Sequence, residues 1–100
     1  MINQSVVLKK NQVLKVKNFL LKTPAKNECT VRIKAVGVCS SDVARSFDDG
    51  AYFYPLVMGH EISGEVEIVG GGVKEKFMPG DRVTVFPLLP CFKCSACNKS

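Results

Sequence analysis

The chain has 100 residues, of which 46% are hydrophobic and 23% charged, with a formal net charge of +5. That length fits one small domain burying about two-thirds of its unfolded surface, and the composition is ordinary for a globular protein. The lysines are scattered, with no block of about five like charges and few interleaved aromatics, so the signature of a nucleic-acid binder is missing. No apolar run is long enough to span a bilayer, which excludes a helical membrane span.

In chain order, Val6–Leu8 and Leu14–Phe19 read as two short strands joined across Lys9-Lys10-Asn11-Gln12, a hairpin with lysine-rich edges. Residues 23–27, Thr-Pro-Ala-Lys-Asn, form a turn. From Thr30, apolar Val31, Ile33 and Ala35 alternate with Arg32 and Lys34, the pattern of a half-buried strand, and Gly37 ends it. Ser40-Ser41-Asp42 offers N-cap oxygens for a short helix through about Phe47. Asp48-Asp49-Gly50 is a turn, and residues 51–58 are an aromatic loop interrupted by Pro55. Ile62–Val69 is strand-like, and Gly70-Gly71-Gly72 suits a tight reversal at positive φ. Pro79-Gly80-Asp81 precedes a strand from Arg82 to Phe86, and Pro87 and Pro90 flank an irregular, cysteine-bearing lobe. These elements predict a mainly β protein that closes as a small barrel with one brief helix.

Two residue sets carry chemistry. Cys39 lies where a strand gives way to a loop, and His60, the only histidine, follows another loop. Thiolate, imidazole and carboxylate are zinc donors, and a catalytic zinc takes three protein ligands with one position open. Cys39 and His60 can supply two. Glu61 can supply the third or act as an exchangeable carboxylate, and Asp42 can accept the other ring N–H of His60. Taken singly, a cysteine is usually a small buried hydrophobe and a His-Glu pair a surface feature.

The second set is Cys91-x2-Cys94-x2-Cys97, whose two-residue gaps let thiolates converge on one ion. Five cysteines is an odd number. No secretory apolar region follows Met1, because Asn3, Gln4, Lys9 and Lys10 interrupt it. Metal binding in a reducing cytoplasm therefore explains the cysteines better than disulfides do. Cys29 opens a strand and reads as a core residue.

Gly37-Val38-Cys39-Ser40-Ser41-Asp42, then Gly59-His60-Glu61 with Gly64, then Gly80-Asp81-Arg82-Val83 occur in an order that resembles the zinc-dependent medium-chain dehydrogenases. The resemblance implies a GroES-like, partly open β-barrel with a short helix and a cysteine-rich zinc lobe. It implies zinc ligation at Cys39 and His60, with Glu61 a ligand in some states. Ser41 would hydrogen-bond the alcohol and Asp42 would support the ligands from behind. Many members carry a histidine five residues after the cysteine, where this chain has Ala44; a proton relay here would run through Ser41, cofactor ribose or water. The family adds a fourth cysteine to the lobe about eight positions after the third, beyond Ser100. Bacterial ferredoxins share the C-x2-C-x2-C spacing, and the upstream motifs favour zinc.

No G-x-G-x-x-G fingerprint is present, and Ser100 falls inside the cysteine lobe. Residues 1–100 are therefore expected to be the N-terminal part of a GroES-like catalytic domain, truncated at its C-terminal end and without its Rossmann domain. Tyr52-x-Tyr54-Pro55 before Gly59-His60-Glu61, and the segment from Phe86 to Cys94, look most like the polyol dehydrogenase branch that takes polyols and polyol phosphates. The complete enzyme is expected to be cytoplasmic and homo-oligomeric, a dimer or tetramer, using zinc and NAD(P) on a small alcohol, polyol or polyol phosphate. It would have no nucleic-acid or membrane partner. The isolated 100 residues would be inactive. The alternatives are a zinc-binding module of zinc-ribbon type without enzyme activity, and a co-chaperonin-like structural role resting on the barrel alone.

Overall fold

The computed structural model describes residues 1–99. Strands β1 (Ile2–Lys10) and β2 (Val13–Leu20) form an antiparallel hairpin with Val6 opposite Val16 and Leu8 opposite Leu14. It is longer than the apolar runs alone suggest, because backbone pairing continues through polar Asn3, Gln4, Lys15 and Lys17 on exposed faces. The turn is Asn11-Gln12, with Gln12 at φ 63°.

α1 (Ser40–Phe47) is tied to this turn. The Gln12 N–H donates to the Ser46 carbonyl at 2.7 Å and the Asp49 N–H to Asn11 Oδ1 at 3.0 Å. The aromatic loop holds a two-residue strand, β4 (Leu56–Val57), which pairs with β1 and helps bury Val7 and Leu8. Alternation cannot reveal so short a strand.

β3 (Cys29–Gly37), β5 (Glu61–Val69) and β6 (Arg82–Thr84) make the second sheet, in the order β3-β5-β6. Half-buried Cys29 does open β3. β6 stops at Thr84 rather than Phe86, although the Val85 N–H still donates to the Ile62 carbonyl at 3.1 Å. The triglycine segment corrects an expectation, for its glycines have no positive φ; the positive-φ glycines among the described residues are Gly59 and Gly80. Gly70 and Gly72 instead pack against the 25–28 turn. A Cβ on Gly70 would lie 2.8 Å from the Glu28 and Lys26 carbonyl oxygens, and one on Gly72 3.0 Å from the Lys26 carbonyl oxygen. The cysteine lobe, expected to be irregular, contains one helical turn, α2 (Ser95–Asn98).

The first sheet has the order β2-β1-β4, and no strand pairing joins it to the second among the described residues. The barrel is therefore open. The molecule measures 43 × 38 × 20 Å and exposes 7951 Å². A self-contained domain of this mass exposes about 5,600 Å², and its unfolded chain about 16,000 Å². About half of the unfolded surface is buried, short of the two-thirds expected from length. Only Val7, Leu8 and Val66 are buried apolar residues among those described. An open apolar cleft of about 1500 Å³ runs between the sheets, lined by residues such as Ile2, Leu14, Leu20, Val31 and Ile33. Exposed apolar surface of this extent marks an interaction face or a ligand groove rather than ordinary solvent-facing surface.

Candidate metal centres

β3 and β5 run antiparallel with Gly37 opposite Glu61, so the end of one strand lies beside the start of the other. Cys39 follows β3 by two residues and His60 immediately precedes β5. The register alone thus brings residues 21 positions apart in sequence to one edge of the sheet. Gly59 completes the placement. Its φ is +104°, and a Cβ there would fall 2.8 Å from Val36 Cγ1. Only glycine serves both requirements.

Cys39 is also the N-cap of α1, a position expected one residue later. Its N–H donates to Asp42 Oδ2 at 3.0 Å, the acidic third-residue half of a capping box. Asp42 is buried, and its other oxygen, Oδ1, lies 3.4 Å from His60 Nδ1. One carboxylate therefore fixes the helix start that carries Cys39 and the ring that follows Gly59. An Nδ1–H facing Asp42 leaves Nε2 as the donor atom.

The side-chain donors of Cys39, His60 and Glu61 lie within 4.8 Å of one another. Tetrahedral zinc ligands at about 2.0–2.3 Å from the ion stand roughly 3.5 Å apart, so these donors reach one ion with small adjustments. A thiolate, an imidazole and an exposed carboxylate fit zinc chemically. The Cys39 thiol is pulled down from 9.0 to about 7, first by the Ser41 hydroxyl, then by the Ser41 backbone N–H, then by His60 and Ser40. Hydrogen bonds to sulfur favour the thiolate, the form that ligates metal.

Ser41 lies on the first turn of α1, and its Oγ accepts a 2.9 Å hydrogen bond from Arg45 Nη1. Arg45 Nη1 is also 3.8 Å from Asp42 Oδ1. Arg45 was not singled out from the sequence. The signal available was its i,i+4 spacing from Ser41, which puts both on one helix face. An open cleft of about 340 Å³ adjoins this group, lined by Asp42, Arg45, His60, Tyr52, Phe53 and Leu88.

The second cluster is built by backbone turns. Phe92 adopts φ 58°, and the N–H groups of Lys93 and Cys94 donate to Cys91 Sγ at 3.4 Å. The Cys97 N–H donates to Cys94 Sγ at 3.4 Å, so Cys94 caps α2 with its own sulfur. The Cys91–Cys97 and Cys94–Cys97 sulfurs are 3.7 and 3.4 Å apart, close to the roughly 3.8 Å edge of a tetrahedral zinc thiolate. The Lys93 and Cys94 N–H groups are the leading causes that lower the Cys91 thiol to about 7. No disulfide links the cysteines among the described residues. No helix of the described residues is long and apolar enough to cross a membrane.

Residues 25–100 match the model of the alcohol dehydrogenase GroES-like domain. The chain belongs to that family. It is 48% identical over 73 residues to galactitol 1-phosphate 5-dehydrogenase of Escherichia coli, an alignment covering 73% of this chain and 21% of that enzyme. The crystal structure of galactitol-1-phosphate dehydrogenase from Escherichia coli superposes with a TM-score of 0.85 at 40% identity, over 97% of this chain and 28% of the other. A short chain alcohol dehydrogenase from Escherichia coli, complexed with NADH, gives a TM-score of 0.85 at 32% identity, over 98% of this chain and 28% of that one. The chain thus spans between a fifth and a third of the length of these relatives. The fold is the mainly β, GroES-like one that the motif order implied.

Proposed function

We propose that residues 1–100 form the metal-bearing N-terminal part of the catalytic domain of a zinc-dependent, NAD(P)-linked alcohol or polyol dehydrogenase, with polyol phosphates as the narrowest substrate class. The observation that carries this reading is the convergence of the Cys39, His60 and Glu61 donors within 4.8 Å at one sheet edge, with Asp42 behind His60. The relative named for galactitol 1-phosphate and the relative crystallised with NADH support the substrate and cofactor classes. The net charge of +5 is compatible with a phosphorylated substrate.

A bound zinc would supply Lewis acidity to a substrate hydroxyl at Cys39, His60 and Glu61, and a nicotinamide would accept the hydride. The chain's own residues do the rest. Asp42 holds the His60 ring and the start of α1. Ser41 offers a hydroxyl to hydrogen-bond the substrate oxygen and pass its proton toward water or ribose. Tyr52, Phe53 and Leu88 line the cleft beside Asp42, Arg45 and His60. Ala44 has no group to carry a proton, so the relay begins at Ser41. Cys91, Cys94 and Cys97 would hold a separate, structural zinc. The remaining surface of the open apolar cleft would be covered by the rest of the domain.

The test is NADH formation. The complete gene product, loaded with zinc, is expected to reduce NAD or NADP with a polyol or polyol phosphate, and His60→Ala to abolish turnover. Residues 1–100 alone are expected to be inactive. A zinc-loaded complete protein inert toward alcohols, polyols and their phosphates would overturn the reading.

A further inference from the structure

Arg45 is the single Lys or Arg side chain that lines the cleft beside His60, among the described residues. Its side chain is 30% exposed, so the charge stands at the cleft wall, partly withdrawn from solvent. The cleft holds about 340 Å³, at the small end of ligand pockets. A molecule that reaches the Cys39, His60 and Glu61 donors through it passes this guanidinium.

Most of the five N–H groups of Arg45 are uncommitted. Nη1 donates to Ser41 Oγ at 2.9 Å. Asp42 Oδ1 lies 3.8 Å from Nη1, beyond hydrogen-bond reach. Both Asp42 oxygens have nearer partners, Oδ2 accepting from the Cys39 N–H at 3.0 Å and Oδ1 lying 3.4 Å from His60 Nδ1. No other hydrogen bond reaches the guanidinium among the described residues. The Ser41 bond therefore fixes one corner of the fork and leaves the Nε–Nη2 edge open. That edge presents two parallel N–H groups, which match two oxygens of one phosphate or carboxylate. A neutral hydroxyl offers only one oxygen to such a fork. Asp42 also lines the cleft, so without Arg45 an incoming anion would meet a carboxylate and no Lys or Arg side chain.

We propose that Arg45 is a specificity-determining residue. Its open Nε–Nη2 edge receives a terminal oxyanion of the substrate, phosphate or carboxylate, while the reacting hydroxyl lies at the Cys39, His60 and Glu61 cluster. The inference rests on the dehydrogenase reading above and deepens it, for it selects polyols that end in an oxyanion over neutral polyols. Arg45 transfers no proton in this role, since a guanidinium stays charged.

The experiment compares a hexitol, its terminal phosphate and the corresponding aldonate as substrates of the zinc-loaded complete gene product, with NAD or NADP. The wild type is expected to show a kcat/KM at least about tenfold higher for an oxyanionic substrate than for the hexitol. Arg45→Gln is expected to lower that preference by about 10–100-fold, chiefly through KM. Arg45→Lys is expected to keep part of it, because the charge stays and the fork is lost. The preference is a ratio, so any loss common to both substrates, from folding or from the Ser41 contact, cancels. Calorimetry without nicotinamide reads the same preference as a ratio of dissociation constants. Whichever of phosphate and aldonate shows the drop identifies the oxyanion. A ratio unchanged in both variants, or a wild type that prefers neutral alcohols, overturns the role of Arg45 and leaves the dehydrogenase reading standing. A complete protein inert toward all three compounds and toward simple alcohols overturns both.

Discussion

Gly37 and Glu61 face each other across the β3–β5 ladder, and the Glu61 side chain fills the space a Cβ on residue 37 would need. A methyl there would lie 3.0 Å from Glu61 Cβ and 3.3 Å from its Cδ, and would overlap Oε2. Missing side-chain volume at one position thus directs a carboxylate toward Cys39 and His60.

Gly37→Ala is accordingly expected to push Glu61 out of the donor set. Metal affinity at that cluster should fall by about tenfold or more, measured by competition with a chromogenic chelator. Overpacking should cost about 1–3 kcal/mol of stability in urea unfolding. Unchanged metal affinity would show that Glu61 takes no part in binding.

Asp42→Asn separates two tasks of one carboxylate. The amide oxygen can still accept from the Cys39 N–H, but it cannot at the same time offer His60 Nδ1 a charged acceptor. A stability loss of about 1 kcal/mol is expected from the weaker helix start. The larger effect should be a drop of about 10–100-fold in metal affinity. A variant that loses stability alone would confine Asp42 to capping.

Alkylation of the metal-free chain tests the electrostatics. The thiols of Cys39 and Cys91 are lowered from 9.0 to about 7. Their thiolate fraction should therefore rise with pH through about 7, two units below an ordinary thiol. Peptide-resolved iodoacetamide rates should have midpoints there, and Ser41→Ala should move the Cys39 midpoint upward. Metal must compete with protons for the same thiolates, so affinity should weaken as pH falls below about 7. Midpoints near 9.0 would contradict the hydrogen-bond assignments.

Much of this arrangement was legible from residue order. Alternation in Val31, Ile33 and Ala35 located β3, and the Gly37-to-Asp42 and Gly59-to-Glu61 segments located the donors. Other features were hidden because they depend on tertiary approach rather than local pattern. Gly70 and Gly72 serve close backbone packing against the 25–28 turn, which composition cannot distinguish from a positive-φ turn. β4 is two residues long and exists because β1 offers it a ladder. Arg45 looks like an ordinary helix-end cation until its partner Ser41 is seen. The small buried core was also invisible, since apolar content says nothing about whether the faces that carry it are covered.

Cys94→Ala is expected to release the metal of the cysteine lobe and to fray α2, whose cap is the Cys94 sulfur. With three thiolates and no fourth protein ligand among the described residues, the lobe metal should be removable by a chelator. Retention of that metal through dialysis in Cys94→Ala would rule out the three-sulfur site.

The most direct test of the two-centre account is zinc content after equilibrium dialysis of wild type, His60→Ala and Cys94→Ala. The account predicts that each variant loses the metal of its own cluster and keeps that of the other. A His60→Ala chain holding as much zinc as the wild type would contradict it.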